Sequence, residues 1–425
     1  MKEEFICYLW QFGLWEGEIC TTDGQKVKQI SPGIRNVDSG PDFFNARVLV
    51  GDTEWAGNVE IHVHSSDWYL HKHEINKAYD SVVLHVVYNA NKEIKSTKGE
   101  KIPSVELKKN IPAKMYSRYQ EFMESKKSWI ACEREIYKVD TFTISQFKER
   151  LLIDRLESKT KEVEKLLEKT GRDWSQAFFI HLSASLGLKT NQFPFEMLAK
   201  SISVYDLARV KNNKLQIEAI LYGQSGLLEK SDNSVYVNNL KKEYAYLRKK
   251  LKLNPIEVEI WKFMKMRPSG FPTIRISQLA DLIHKSTALF SILMDFDKVK
   301  DIRKAFEAEA SPYWDTHYTF ETISPNRKKK LGRMSIDRII INTVVPFFYV
   351  YGSSNMNDKL KDKALKLLLM LSAEKNTIID NWISLGVVAS NSFDTQALLE
   401  LKKNFCDKKR CLECRVGNYL LILNK

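Results

Sequence analysis

Apolar residues recur at two different spacings along the chain, and the spacing changes near residue 110. Before that point the runs are short. Phe5, Leu9 and Phe12 follow helical spacing over 3–14, and Gly13 can end that helix. Residues 21–34 are rich in turn formers, with Asp23-Gly24 as a hairpin signal. Ser39-Gly40-Pro41-Asp42 reads as a turn, 43–50 as a strand broken at Gly51-Asp52, and 56–64 as the next strand. Alternation along that strand puts Val59, Ile61 and Val63 on one face and Glu60, His62 and His64 on the other. Residues 66–78 read as a helix. The β-branched run SVVLHVVY at 81–88 reads as a buried strand, and 102–107 as a short one.

Beyond residue 110 the period lengthens to that of helices. A long, outwardly charged helix is expected over 151–169. Further helices are expected over 174–187, 192–210, 214–229, 239–251, 255–264, 276–294, 335–350, 358–373, 376–385 and 395–404. Turns at Pro194, Pro255, Pro268-Ser269-Gly270 and Gly352 divide several of them. No fixed-period repeat is present. The expected architecture is α+β, with a mixed N-terminal domain over 1–110 and a basic all-helical domain over 111–425.

Composition adds limits to this picture. With 44% hydrophobic and 11% aromatic residues, a 425-residue chain has material for two or three cores. No apolar run reaches the roughly 20 residues of a membrane span. The start, MKEEFICYLWQFGLWEGEIC, carries acids where a secretory signal has bases, so a cytoplasmic protein without a membrane segment is expected. Six cysteines are too few for a disulfide scaffold. The formal charge of +13 is uneven: residues 1–110 hold 13 Lys+Arg against 16 Asp+Glu, and the rest 53 against 37. An acidic catalytic piece joined to a basic platform suits a nucleic-acid substrate, because phosphate contacts supply most non-specific affinity.

The acidic piece carries the candidate chemistry. Asp42 opens one strand, Glu60 lies on the next, and Glu4 lies on the first helix. Pro41-Asp42, the Glu60-Ile61-His62 triplet eighteen residues later, and the helix–strand–strand–strand–helix–strand order resemble the PD-(D/E)xK, or restriction-endonuclease-like, superfamily. The resemblance implies Asp42 and Glu60 as ligands of Mg²⁺ or Mn²⁺, with the Ile61 carbonyl completing the shell and Glu4 in support. Hard divalent ions favour such oxygens, and phosphodiester cleavage uses the ion to activate water. The superfamily places lysine where this chain has His62. A histidine there can act as a base near neutral pH or ligate the metal itself. Five of the eight histidines, His62, His64, His71, His73 and His85, fall within 24 residues, as a metal site would require.

The chain also resembles an uncharacterised bacterial family known only as a domain of unknown function (DUF 2851). The matching stretches are 36–43 (NVDSGPDF), 57–62 (GNVEIH), Asp67-Trp68, 84–87 (LHVV), Arg267-Pro268, 271–275 (FPTIR) and the terminal cysteines. Those cysteines, Cys406-x4-Cys411-x2-Cys414, can bind Zn²⁺ or an Fe–S cluster given a fourth ligand, for which Cys132 is the first choice ahead of Cys7 and Cys20. Arg267 and Arg275 flank a proline-rich connection and suit phosphate. The aromatics of 313–318 are expected mainly in the core, and Lys328-Lys329-Lys330 on a solvated face. The expected function is a metal-dependent nuclease-like protein acting on DNA or RNA. The alternatives are a catalytically degenerate nucleic-acid-binding scaffold and a metal-dependent hydrolase of a smaller substrate.

Overall fold

The computed structural model describes residues 1–125, 128–229 and 234–423. The chain divides into two compact units, 1–147 together with 401–425, and 148–400. The division expected near residue 110 therefore moves to 147. The cysteine-bearing segment packs with the sheet-containing unit, not with the helical one to which its position in the sequence assigned it.

The first unit is built on a seven-stranded sheet. Its elements are α1 (Glu3–Phe12), β1 (Ile19–Cys20), β2 (Lys26–Ser31), β3 (Ile34–Arg35), β4 (Phe43–Val50), β5 (Thr53–His64), α2 (Asp67–Leu70), β6 (Val82–Asn89), β7 (Ser104–Glu106) and α3 (Ala113–Glu124). The strand order is β1-β2-β4-β5-β6-β7, with β3 paired to β4. β2, β4 and β5 run antiparallel, whereas β5–β6 and β6–β7 are parallel. A bridge between Thr21 and Val105 brings the two ends of the order together, so the sheet curls. α1 covers one face: Ile6, Cys7 and Trp10 pack with Phe43, Val59, Ile61, Leu84, Val86 and Val105. Gly13, left-handed at φ 63°, ends the helix as its position suggests. A second cluster of Trp68, Tyr79, Val82, Ile94 and Ile102 forms beneath the β5–β6 crossover.

That crossover is not the expected helix over 66–78. It is one turn of α-helix, α2, followed by 3-10 turns His73–Ile75 and Lys77–Tyr79. Lys72 breaks the helix by turning left-handed, at φ 61°. Gly57 lets β6 approach β5: a β-carbon there would lie 2.4 Å from Val83 Cγ1 and 2.7 Å from the Ser81 carbonyl.

The second unit is helical, led by α4 (Thr141–Lys169), within which the boundary falls. Most expected helices are present, some in pieces. The stretch 192–210 is two helices, Leu188–Lys200 and Val204–Arg209, the second capped by Ser203. The stretch 255–264 is not a helix beyond the 3-10 turn Val258–Ile260. Its backbone instead bonds outward, Ile256 N–H to the Gln224 carbonyl and Lys262 N–H to Asn191 Oδ1. Helices over Ala113–Glu124, Val299–Ala305 and Arg415–Ile422 were not expected. Trp314 is fully buried in the core, as read, whereas Tyr313, stacked on His317, and Tyr318 are half-buried. Lys329 is buried rather than solvated, donating to the Asp315 carbonyl and Ser324 Oγ. No helix among the described residues is long and apolar enough to cross a membrane.

Candidate functional site

The β4–β5 pairing creates the site. Phe43 opposes Val59, which places the preceding Asp42 beside Glu60. The two carboxylates are held by reciprocal backbone bonds. Glu60 Oε2 accepts the Asp42 N–H at 3.1 Å, and Asp42 Oδ2 accepts the Ile61 N–H at 2.9 Å. A bulge follows at once, with Asn45 left-handed at φ 56° and its N–H on Asn58 Oδ1. Bulges of this kind re-aim neighbouring side chains beside functional sites.

Glu60 is 5% exposed, and its second oxygen faces imidazoles rather than water. Glu60 Oε1 lies 3.3 Å from His73 Nε2 and 3.6 Å from His62 Nε2. His62 Nε2 is in turn 3.1 Å from His71 Nδ1. Ring nitrogens of His62, His71 and His73 all fall within 4.8 Å of one another. The parallel β5–β6 register sets His85 beside Glu60, and His85 Nε2 meets His62 Nδ1 at 2.8 Å. Trp68 closes the far side, edge-on to His73 and His85, and Tyr79 stacks on His73 at 3.7 Å.

Burial and crowding push these groups away from their charged forms. Desolvation first, then the Glu60 charge, raises Asp42 to about 7. Desolvation raises Glu60 to about 8. Desolvation, then the neighbouring imidazoles, drops His62 to about 2, and burial drops His85 to about 3. His62 is therefore neutral near pH 7 and carries one ring proton. With that proton on Nδ1, donated to His85, the Nε2 lone pair points at the other two histidines and Glu60. The Nδ1 atoms of His73 and His85 are buried without a hydrogen-bond partner. A neutral imidazole with a free lone pair is what a metal ligand requires.

The structure thus brings Asp42, Glu60 and His62 together as the sequence proposed, and it adds His71 and His73 as partners in one cluster. His64 is exposed at the end of β5 and bonds Asn89. The acid of α1 in electrostatic reach of the site is Glu3, whose own pKa is raised by desolvation and then by Asp42, and whose charge in turn raises Glu60. Glu4, named from the sequence, instead lines a neighbouring cleft with Arg35, Tyr119, Lys408, Lys409, Arg410 and Glu413. Arg35, on β3, is the cation whose field reaches Asp42.

Of the two arginines singled out for phosphate, Arg267 is exposed. Arg275 is not available: it is 7% exposed, sits inside the helix Pro272–Lys285, and donates to Gln278 Oε1 and Ser335 Oγ. The cysteines are all free thiols. Cys132 lies within electrostatic reach of Cys411 and Cys414, and Cys406 within reach of all three.

A family model described as a protein of unknown function (DUF2851) matches residues 3–377, a stretch that holds the acid–histidine site and Cys132 and ends before Cys406. No curated protein matches the chain, and no solved structure does.

Proposed function

Since the chain belongs to this family of unknown function, its chemistry has to be read from the site, and we propose a divalent-metal-dependent phosphodiesterase of PD-(D/E)xK type that acts on nucleic acid. One observation carries the reading: Asp42 and Glu60 are locked opposite each other on β4 and β5, with Glu60 Oε1 facing two imidazole nitrogens at 3.3 and 3.6 Å. The helix, antiparallel three-strand meander, crossover and parallel fourth strand, α1-β2-β4-β5-β6, support the superfamily assignment, in which the two acids would be the metal-binding pair.

The donor set fits a metal. Two carboxylates and three histidines favour Mn²⁺ or Zn²⁺ over Mg²⁺, which prefers oxygen ligands. Such an ion would supply a water acidic enough to attack phosphorus near neutral pH. His62, with its pKa near 2, is too weak a base to take that water's proton and serves as a ligand, oriented by His85. Arg35, Lys408, Lys409 and Arg410 line the neighbouring cleft and give the phosphates of a strand somewhere to bind. Exposed Arg267, in the second unit, is a further phosphate contact.

The histidine in the lysine position also favours a second reading, a nucleic-acid-binding scaffold without cleavage. The full chain and Asp42→Ala/Glu60→Ala are assayed on single- and double-stranded DNA and RNA with Mg²⁺, Mn²⁺ and Zn²⁺. Cleavage by the parent with Mn²⁺ or Zn²⁺, lost in the double variant, is the expected result. Equal cleavage by both removes this site from the chemistry. Binding by both with cleavage by neither leaves the scaffold reading.

A further inference from the structure

Away from the acid–histidine site, four thiols meet in the first unit. Cys132 sits in the turn before the 3-10 helix Ile136–Lys138, with its carbonyl accepting the Glu135 and Ile136 N–H groups. Cys406, 274 positions later, ends the π-helix Leu401–Cys406, and Cys411 and Cys414 lie on the tight loop between it and the helix Arg415–Ile422. That helix packs against both α3 and the Ile136–Lys138 turn, which is how the distant cysteine joins the trio.

The loop is shaped around its sulfurs. Lys409 is left-handed at φ 52°, and its N–H bonds the Cys406 carbonyl. The Cys414 N–H bonds the Cys411 carbonyl. Cys414 stands at the N-cap of the helix without a side-chain cap hydrogen bond, and the nearby Gly417 and Val416 N–H groups offset part of what burial does to its thiol. Gly417 is required here, because a β-carbon would lie 2.2 Å from the Cys411 carbonyl oxygen. Lys402 and Lys409 add positive charge beside Cys406 and Cys411. Cys411 and Cys414 are buried, and Cys132 and Cys406 are half-buried. In the absence of a ligand, burial pushes all four thiols up, and the neighbouring sulfurs add to it at Cys132, Cys406 and Cys411.

We propose that Cys132, Cys406, Cys411 and Cys414 are the four thiolate ligands of a metal centre. Four thiolates are the full ligand set of an iron–sulfur cluster and of a structural zinc ion alike. The metal centre would also fix the run Lys408-Lys409-Arg410, which lines the cleft containing Glu4 and Arg35.

The test is the metal content of the full chain, purified without oxygen from iron-supplied cells. Iron, acid-labile sulfide and zinc are measured together with the visible spectrum before and after dithionite. The expected result is a cysteine-dependent metal, read as iron with equal sulfide and a chromophore that bleaches on reduction for a cluster, or as zinc without sulfide for a single ion. Cys132→Ala and Cys414→Ala should lose it, exposed Cys20→Ser should keep it, and Gly417→Ala, which retains every thiol, should hold less. A folded, metal-free parent overturns the proposal, as does a Cys132→Ala/Cys414→Ala double variant whose metal content equals the parent's.

Discussion

His85 is where the metal-site reading is most exposed to refutation. It is fully buried, and its one bond in the site is the 2.8 Å contact to His62 Nδ1. In the proposed arrangement it does not touch the metal; it accepts the His62 proton and so frees His62 Nε2. His85→Phe keeps an aromatic ring against Trp68 and removes the acceptor. Loss of a group that orients a metal-bound histidine costs about 10–100-fold in affinity, or about 1.4–2.8 kcal/mol. Folding without metal should change little, because the variant also removes a buried imidazole held near pKa 3 and an Nδ1 with no partner. Calorimetric titration of the metal-free protein with Mn²⁺ and Zn²⁺ reads the affinity, and thermal melts with and without metal read the linked stabilisation. Exposed His64→Ala is the control and should bind as the parent does. If His85→Phe binds metal as tightly as that control, His62 does not depend on His85 and the arrangement is wrong. If it fails to fold without metal, the 2.8 Å pair is a structural element and not a metal support.

Other outcomes follow from features of each unit. In the second unit, Lys148 is 8% exposed and pairs with Asp394 at 2.5 Å, so Lys148→Met should cost about 1–3 kcal/mol by leaving a half-buried carboxylate with the Ser390 N–H and without its cation. Lys148→Met/Asp394→Leu should recover most of that in denaturant unfolding, and no recovery would refute the pairing. Gly57→Ala should cost about 1–3 kcal/mol through its contact with Val83 and Ser81, and it should weaken metal binding by displacing β5 from β6. Burial, then Lys159, lowers His181 to about 4, and its Nδ1 meets Thr343 Oγ1 at 3.1 Å. Because the unfolded chain takes up that proton first, stability from this group is complete above about pH 6.5 and is lost as pH falls toward 4, by at most about 1.4 kcal/mol per pH unit. His181→Gln should flatten that part of the melting-temperature profile, and an unchanged slope would assign it elsewhere.

The parts of this site that the sequence revealed are those set by strand alternation. Asp42, Glu60 and His62 depend on a period of two residues and a pairing, and both are written locally. His71 and His73 were visible only as members of a histidine-rich stretch. A regular helix over 66–78 would have turned them about 200° apart. The left-handed Lys72 between them cancels that rotation, and nothing about a lysine announces it. The choice between Glu3 and Glu4 fails for a related reason, since neighbours on a helix differ by about 100° and the docking of α1 decides which one meets Asp42. Arg275 was misplaced because its proline-rich neighbourhood looks like a loop, whereas Pro272 opens a helix. The union of Cys132 with the later trio was legible from ligand counting alone, although the unit they share was not.

The first unit is assembled from both sides of the second in sequence, residues 1–147 and 401–425. On a ribosome, the strands bearing Asp42 and Glu60 emerge about 340 residues before the segment that packs with them, at roughly 5–20 residues per second. For that interval the N-terminal piece must wait with its α3 and Cys132 surfaces uncovered, while the intervening helical unit is free to fold. A truncation in the last 25 residues would therefore injure the start of the protein, and a limited proteolysis experiment on such a truncation should find its cuts clustered before residue 147.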